Sequence, residues 1–212
     1  MILPIGATEA HGAHLPLGTD TFQCEYVADA ISKRMKNVLI APTLPYGTHS
    51  SMKDVCGTIN ISFDTLRSIV TDVLESAIGH GIKRILVISG HAGTSHFAAI
   101  TEACRDIVSE YNAKVMFLCD YMICDAGFKY EGDGHGGVVE TSRMLAIDPG
   151  AVKDARPKGR FIDAGGMILR DASACIPNGV VGDTKNASAE LGAKMNDYIA
   201  DAIIKMIERD LK

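Results

Sequence analysis

The sequence predicts an α/β protein of three layers, in which a mostly parallel sheet is flanked by helices on both faces. Short apolar runs alternate with longer amphipathic stretches, an order that favours parallel strands joined by helices. The strongest run, "RILVIS" at 84–89, is apolar along its length and predicts a strand covered on both faces. A chain of 212 residues has the length of one domain with a substantial core, so we expect a single domain over 1–212.

Each element has its own local signal. The predicted strands are 1–5, 37–42, 84–89 and 114–121. The predicted helices are 20–35, 62–81, 93–111, 138–147 and 188–212. The helix over 62–81 has a serine cap before it and Gly81 at its end, and Pro42 ends the second strand. His80 lies at a helix end, where we interpret it as a partner of the helix dipole.

Composition and charge exclude several classes of partner. The net charge is -5, without a run of Lys and Arg to neutralise phosphates, so we expect neither nucleic acid nor an anionic membrane as partner. No apolar run approaches the roughly 20 residues that cross a bilayer. The six cysteines contain no C-x-x-C pair and no signal peptide precedes them, which predicts reduced thiols in a cytoplasmic protein.

Residues with ligand chemistry gather where the predicted strands end. Glu9 and His11 follow the first strand, His91 follows "RILVIS", and Asp133 and His135 come after the strand that ends at 121. In open parallel sheets, sites form in the crevice beyond the carboxyl ends of the strands. We therefore expect these side chains to converge.

The stretch "ATEAHGAHLPLGTD", residues 7–20, carries the densest group of such residues. Glu9 and His11 are two apart, so in extended backbone they point the same way and suit zinc, manganese or iron. Asp20 has two carboxylate oxygens and could bridge two ions about 3.5–4 Å apart.

Each residue also has an ordinary structural interpretation. An E-x-H pair arises by chance, Asp20 is equally interpreted as a helix N-cap, and His14 as a loop hydrogen-bonding residue. His91 could satisfy backbone groups at a strand–helix turn, and His135 could lie in a mobile glycine loop. The G-x-G-x-x-G match at 132–137 does not indicate a dinucleotide site, because it begins too far after its strand and carries acidic residues that would repel a pyrophosphate. A G-x-S-x-G motif for a serine nucleophile is absent.

Five blocks in this order resemble the creatininase (creatinine amidohydrolase) family: "LPIGATEAHGAHLPLGTD", "GTHSSM…GTINIS", "GHAGTSH", "DGHGGVVETSRMLAI" and "NGVVGD". The resemblance covers nearly the whole chain. It implies an α/β layered fold and a dinuclear metal centre that hydrolyses non-peptide C–N bonds of small molecules. Members include creatininase, a formamide-hydrolysing deformylase, a peptide-trimming enzyme of mycofactocin maturation and a hydrolase of an oxidised inositol.

The resemblance assigns roles to individual residues. Glu9, Asp20 and His91 match ligands of one ion, and His11 with Asp20 matches ligands of the other. His135 matches a histidine that assists catalysis, and either it or Asp133 would carry a proton to the leaving nitrogen. The attacking group would be a hydroxide bridging two Zn, Mn or Fe ions. The resemblance further implies a homo-oligomer, most simply a hexamer.

Three departures from creatininase itself bear on the substrate. A glutamate that completes its second ion corresponds to Gly93, the glutamate before its catalytic histidine corresponds to Gly134, and no tryptophan is present. Glu140 is the nearest carboxylate that could complete the second ion or orient a ligand histidine. The chain also begins later than we expect for the family, which indicates a shortened start.

These departures leave three interpretations open. The first is an amidohydrolase acting on a cyclic amide or formamide. The second is an inosose-type ring-opening hydrolase, and the third is an inert small-molecule binding homologue that lacks the second ion.

Overall fold

The computed structural model describes residues 1–211, and its central sheet is parallel, as predicted. The strands are β1 (Ile2–Ile5), β2 (Arg84–Ser89) and β3 (Lys114–Cys119), and they lie in the order β1-β2-β3. The α-helices over the described residues are α1 (Thr19–Arg34), α2 (Phe63–Gly79), α3 (Thr94–Glu110), α4 (Asp120–Gly127), α5 (Val138–Ile147) and α6 (Ala189–Asp210).

The two faces of the sheet bury different side chains, which gives the three layers that the sequence predicts. Ile2, Leu86 and Ile88 pack with apolar residues of α1, α5 and α6 on one face. Leu3 and Val87 pack with α2 and α3 on the other face. Successive strand residues point to opposite faces, so the continuous apolar run of β2 supplies both layers.

The predicted strand over 37–42 is wrong as a regular strand. The segment runs beside β1, where Ala41 N–H donates to the Ile2 carbonyl at 2.9 Å, but the pairing amounts to isolated bridges. Pro4 lacks the N–H group that would donate between those of Ile2 and Gly6, which accounts for the interruption.

The helix predictions agree more closely with the structure. Ser62 caps α2 by accepting a 3.1 Å bond from Thr65 N–H, and Gly81 follows the helix with φ of 88°. The predicted N-cap role of Asp20 is wrong, because Gly18 is the cap and Asp20 lies in the first turn of α1. The predicted end of the last helix at Lys212 lies outside the described residues.

Two features were not predicted. The third strand ends at Cys119 instead of continuing to residue 121, because α4 begins directly at Asp120. The long segment after α5 contains a small antiparallel pair, β4 (Lys158–Gly159) with β5 (Gly182–Asp183). No helix over residues 1–211 is long and apolar enough to cross a membrane.

Candidate metal centre

The structure brings all five predicted metal ligands together at the carboxyl ends of β1 and β2. Glu9 and His11 lie in the segment after β1, His91 lies after β2, and Asp20 and Glu140 lie in the first turns of α1 and α5. All five side chains are buried, the most exposed of them at 7%. The strand-exit rule therefore locates this cluster correctly.

His11 has the hydrogen bonding expected of a metal-ligating histidine. Its Nδ1 lies 3.0 Å from the carbonyl of Glu9, and a carbonyl can only accept, so Nδ1 carries the hydrogen. In the neutral ring, Nε2 is then left with a free lone pair. That nitrogen faces Asp20 Oδ1 at 3.0 Å and Glu140 Oε2 at 3.6 Å. A backbone carbonyl behind a ligand histidine fixes its tautomer in this way in metal sites.

Asp20 connects two groups of ligands through its two oxygens. Oδ1 lies 3.0 Å from His11 Nε2, whereas Oδ2 lies 3.1 Å from His91 Nδ1. The same His91 nitrogen lies 3.0 Å from Glu9 Oε2. One group is thus Glu9, Asp20 and His91, and the other is His11, Asp20 and Glu140. A carboxylate shared by two groups is the arrangement of a dinuclear centre.

Glu140 occupies the place that the sequence left open for the second group. Its ligand atom lies within 4.8 Å of those of His11 and Asp20. Position 93 carries no carboxylate, and a Cβ there would require the His91 ring to shift, since it would lie 2.4 Å from His91 Nε2. The additional carboxylate beside His11 is that of Glu140 in the first turn of α5, whose Oε2 also accepts from Gly136 N–H at 2.5 Å.

The buried polar atoms of the cluster fit a bound cation. Glu9 Oε2, Asp20 Oδ2 and His11 Nε2 are buried and meet other side chains of the cluster at 3.0–3.1 Å without hydrogen-bond geometry, and the buried His91 Nε2 has no hydrogen-bond partner among the described residues. Buried polar groups are paired in most proteins, and an unpaired set with nitrogen and carboxylate donors suits Zn, Mn or Fe. The residues present thus fit two divalent ions.

The electrostatics also favour positive charge at the centre of the cluster. Burial disfavours the charged form of Glu9, yet the charges of His91 and His135 and the close polar contact with His91 together outweigh it and lower the pKa of Glu9 to about 2. For His91, burial is likewise opposed by the Glu9 and Asp20 carboxylates, which raise its pKa to about 10. Carboxylates held ionised in a buried site require a compensating cation, either a proton on histidine or a metal ion.

His135 lies beside this cluster and faces the cleft. Its Nε2 donates to the Ala10 carbonyl at 2.7 Å, and its ring stacks on His11 with centroids 4.0 Å apart. The donated hydrogen leaves Nδ1 as the basic nitrogen of the neutral ring, 3.9 Å from Glu9 Oε2. The loop that carries it is tied by Val181 N–H, which donates to the His135 carbonyl at 2.7 Å.

Asp133, which the sequence offered as a second proton carrier, is engaged elsewhere. Its Oδ1 accepts from Val138 N–H at 2.6 Å and its Oδ2 accepts from Val139 N–H at 3.2 Å. It does not line the cleft. The structure therefore gives Asp133 a capping position at the start of α5 and leaves His135 as the better placed group.

Sequence reasoning gave no role to two buried histidines at this site, His49 and His96. His49 lies 4.9 Å and His96 lies 5.0 Å from His91, measured between ring centroids. The one available signal was that both lie in blocks that carry the family resemblance. His14 bonds Thr141 Oγ1 at 2.8 Å, as its loop interpretation predicted.

A cleft of about 300 Å³ opens onto the cluster. Its wall combines the metal-centre side chains with hydroxyl groups and three apolar side chains. The hydroxyl-bearing residues are Ser50, Ser51, Thr94 and Tyr121, and the apolar ones are Met52, Ala92 and Ile176. This volume and this mixed lining suit a small polar ligand.

Comparison with known proteins gives a consistent result. The family model described as "Creatininase: Creatinine amidohydrolase" matches residues 1–207. A mycofactocin precursor peptide peptidase of Mycobacterium ulcerans is 30% identical, covering 99% of this chain and 84% of that protein. A creatinine amidohydrolase of Pseudomonas putida is 29% identical over 96% of this chain and 88% of its own length.

More distant relatives and solved structures agree. A 3-dehydro-scyllo-inosose hydrolase of Thermotoga maritima is 25% identical over 100% of this chain and 77% of its own length. A tryptophan-to-alanine mutant creatininase superposes with a TM-score of 0.89 at 25% identity, covering 99% of this chain and 90% of that one. Other creatininase structures of the same fold are described as a Zn-Zn type and a Mn form.

Proposed function

Since the chain belongs to the creatininase family of metal-dependent hydrolases, we propose that it hydrolyses a C–N bond of a cyclic amide or formamide in a small molecule. The single observation that carries this proposal is the position of Asp20 between His11 and His91, at 3.0 and 3.1 Å. A carboxylate in that position joins two ligand groups into one centre that can activate water for hydrolysis.

The protein contributes binding and orientation. Glu9, Asp20 and His91 would hold one ion, and His11, Asp20 and Glu140 the other. Bound there, two divalent ions would lower the pKa of a water molecule and polarise the substrate carbonyl. The backbone carbonyl of Glu9 fixes the ring of His11 by accepting from its Nδ1.

We assign proton transfer to His135. Its Nε2 is held by the Ala10 carbonyl at 2.7 Å, so the ring has one orientation and presents Nδ1 as the free nitrogen. From the cleft wall this nitrogen can take a proton and pass it to the leaving nitrogen of the substrate. A positioned acid or base of this kind typically contributes 10²–10⁴-fold to the rate.

The cleft restricts the substrate to a small polar molecule. Its hydroxyl-bearing wall supplies several hydrogen-bonding groups within about 300 Å³. The absence of tryptophan argues against an aromatic creatinine pocket. A ring-opening hydrolase of an inosose-type ketone is the second candidate, and the relative from Thermotoga maritima together with the hydroxyl-rich wall favours it.

A hydrolysis screen tests the function. The protein loaded with Zn or Mn is incubated with lactams, hydantoins, formamides, inosose-type ketones and short peptides, and products are detected by mass spectrometry. Turnover of lactams, hydantoins or formamides supports the proposal, and turnover of ketones alone supports the second candidate. A protein that holds two ions but hydrolyses no lactam, hydantoin or formamide contradicts the proposal. A protein that holds fewer than two ions supports the third interpretation, the inert binding homologue.

We further propose that the chain assembles as a homo-oligomer, most simply a hexamer, and works in the cytoplasm. Exposed apolar side chains between α5 and α6 support assembly, and Ile168 among them is 96% exposed. Six unpaired cysteines support a reducing compartment. Neither nucleic acid nor a membrane surface is expected as a partner of a chain with a net charge of -5.

A further inference from the structure

His49 is a buried histidine for which neither the sequence nor the family resemblance supplied a role. It lies in the loop between α1 and α2 and is only 4% exposed. Both of its ring nitrogens lack a hydrogen-bond partner among residues 1–211. A buried imidazole without a partner is unfavourable, so the fold is expected to offer it a ligand.

The backbone holds His49 in place. Its N–H donates to Asn60 Oδ1 at 2.7 Å, and Ile61 N–H donates to the Gly47 carbonyl at 3.0 Å. Gly47 also packs closely against the ring of His96, where a Cβ would lie 2.8 Å from Nδ1. The backbone at His49 is therefore held by these hydrogen bonds and by the close packing of Gly47.

The geometry directs His49 to the first ligand group. One ligand atom from each of Glu9, His49 and His91 lies within 4.8 Å of the others. Two ligands on one zinc ion, each about 2.0–2.2 Å from it, can lie no more than about 4.4 Å apart. That limit applies to two ligands on opposite sides of an ion. Neighbouring ligands lie about 3.0–3.6 Å apart, so atoms that lie as much as 4.8 Å apart would have to draw together by more than about 1 Å to share an ion.

We propose that His49 is a fourth protein ligand of the ion held by Glu9, Asp20 and His91. This inference rests on the proposed metal centre and makes that centre asymmetric. The first ion would have four protein ligands and would take a shared water molecule as its fifth, an expansion that zinc allows in catalytic sites. The second ion, held by His11, Asp20 and Glu140, would have three and keep a position open for substrate.

Metal retention tests the assignment directly. His49→Gln removes the ligand at similar size, and His96→Gln is the matched control, since His96 is equally buried beside His91 and also lacks ring partners. Each protein is loaded with Zn²⁺ or Co²⁺, challenged with a chelator, and followed by elemental analysis and the Co²⁺ absorption spectrum. The wild type should release one ion per chain quickly and one slowly.

In His49→Gln the slow ion should be lost more than about tenfold faster, because even the loss of an outer-shell partner costs 10–100-fold in metal affinity. His96→Gln should behave as the wild type, and His49→Cys should restore slow release because a thiolate is also a zinc ligand. Equal release from His49→Gln and His96→Gln overturns the inference. Two ions held as described without turnover of any substrate would instead contradict the proposed function alone.

Discussion

At the scale of single residues, Asp20 is the side chain on which both ligand groups depend. Asp20→Ala should lose the second ion, which keeps only His11 and Glu140, and should bind the first ion more weakly, because that group loses its shared oxygen. Asp29→Ala, on the exposed side of the same helix, is the control and should keep both ions. Elemental analysis of the purified, metal-supplemented proteins decides the matter. Both ions retained at wild-type strength by Asp20→Ala would show that Asp20 is not the shared ligand.

His135 allows catalysis to be separated from metal binding. His135→Ala should retain both ions and lose about 10²-fold or more in turnover, because it removes a proton carrier and no ligand. His80→Ala, at the far end of α2, should change neither. Turnover is compared with metal content measured on the same sample. Joint loss of metal and activity would make His135 a ligand, and a change below about threefold, under 1 kcal/mol, would remove it from the mechanism.

The residues of the site were predictable to different degrees. Glu9, His11 and His91 follow strands directly, so the strand-exit rule was sufficient to place them together. To place Glu140 at the site, one must know which way the first turn of α5 faces, and the spacing of residues in the sequence does not give that direction. His49 lies in a loop without periodicity, and only the folded backbone shows that it points toward His91.

At the scale of elements, Asp133 tests whether the start of α5 is capped by a side chain outside the helix. Asp133→Ala should lower the free energy of unfolding by about 0.5–2 kcal/mol, the usual cost of a lost N-cap. Asp163→Ala, in an exposed loop, is the control and should have little effect. Urea denaturation measures both. Unchanged stability with turnover reduced about 10²-fold would restore Asp133 as the proton carrier.

Regular elements were predictable where the local signal agreed with the final packing. The helix over 138–147 has the predicted bounds because its apolar residues recur at helical spacing. The run at 37–42 is as apolar as a strand, but Pro4 of the neighbouring strand lacks a donor and interrupts its ladder. The helix at Asp120 follows β3 without a loop, so no turn signal separated the two.

At the scale of the whole molecule, one buried ion pair joins three helices. Arg143 in α5 donates to Asp120 of α4 at 2.6 Å and to Asn196 of α6 at 2.9 Å, and the charged pair is fully buried. Arg143→Met should cost about 3–5 kcal/mol, because it leaves the Asp120 carboxylate without compensation.

The control for this prediction is Arg34→Met, whose ion pairs to α6 lie at the surface and should cost no more than about 1 kcal/mol. Both variants are compared with the wild type by urea denaturation. Equal and small losses in the free energy of unfolding would show that Asp120 is neutral in the folded Arg143→Met protein. Burial favours that neutral form, because it raises the pKa of Asp120.

The assembly prediction concerns the exposed apolar side chains of the segment that connects α5 to α6, residues 148–188. Phe161, Met167 and Ile168 are 55%, 70% and 96% exposed, an arrangement that a lone chain stabilises poorly in water. Light scattering should therefore give a mass several times 22.6 kDa, close to sixfold for a hexamer. Ile168→Asp should shift the mass downward, whereas Val108→Asp, at a 48% exposed position on α3, should leave it unchanged. A wild-type mass of 22.6 kDa at micromolar concentration would exclude the oligomer, and an unchanged mass in Ile168→Asp would place the interface elsewhere.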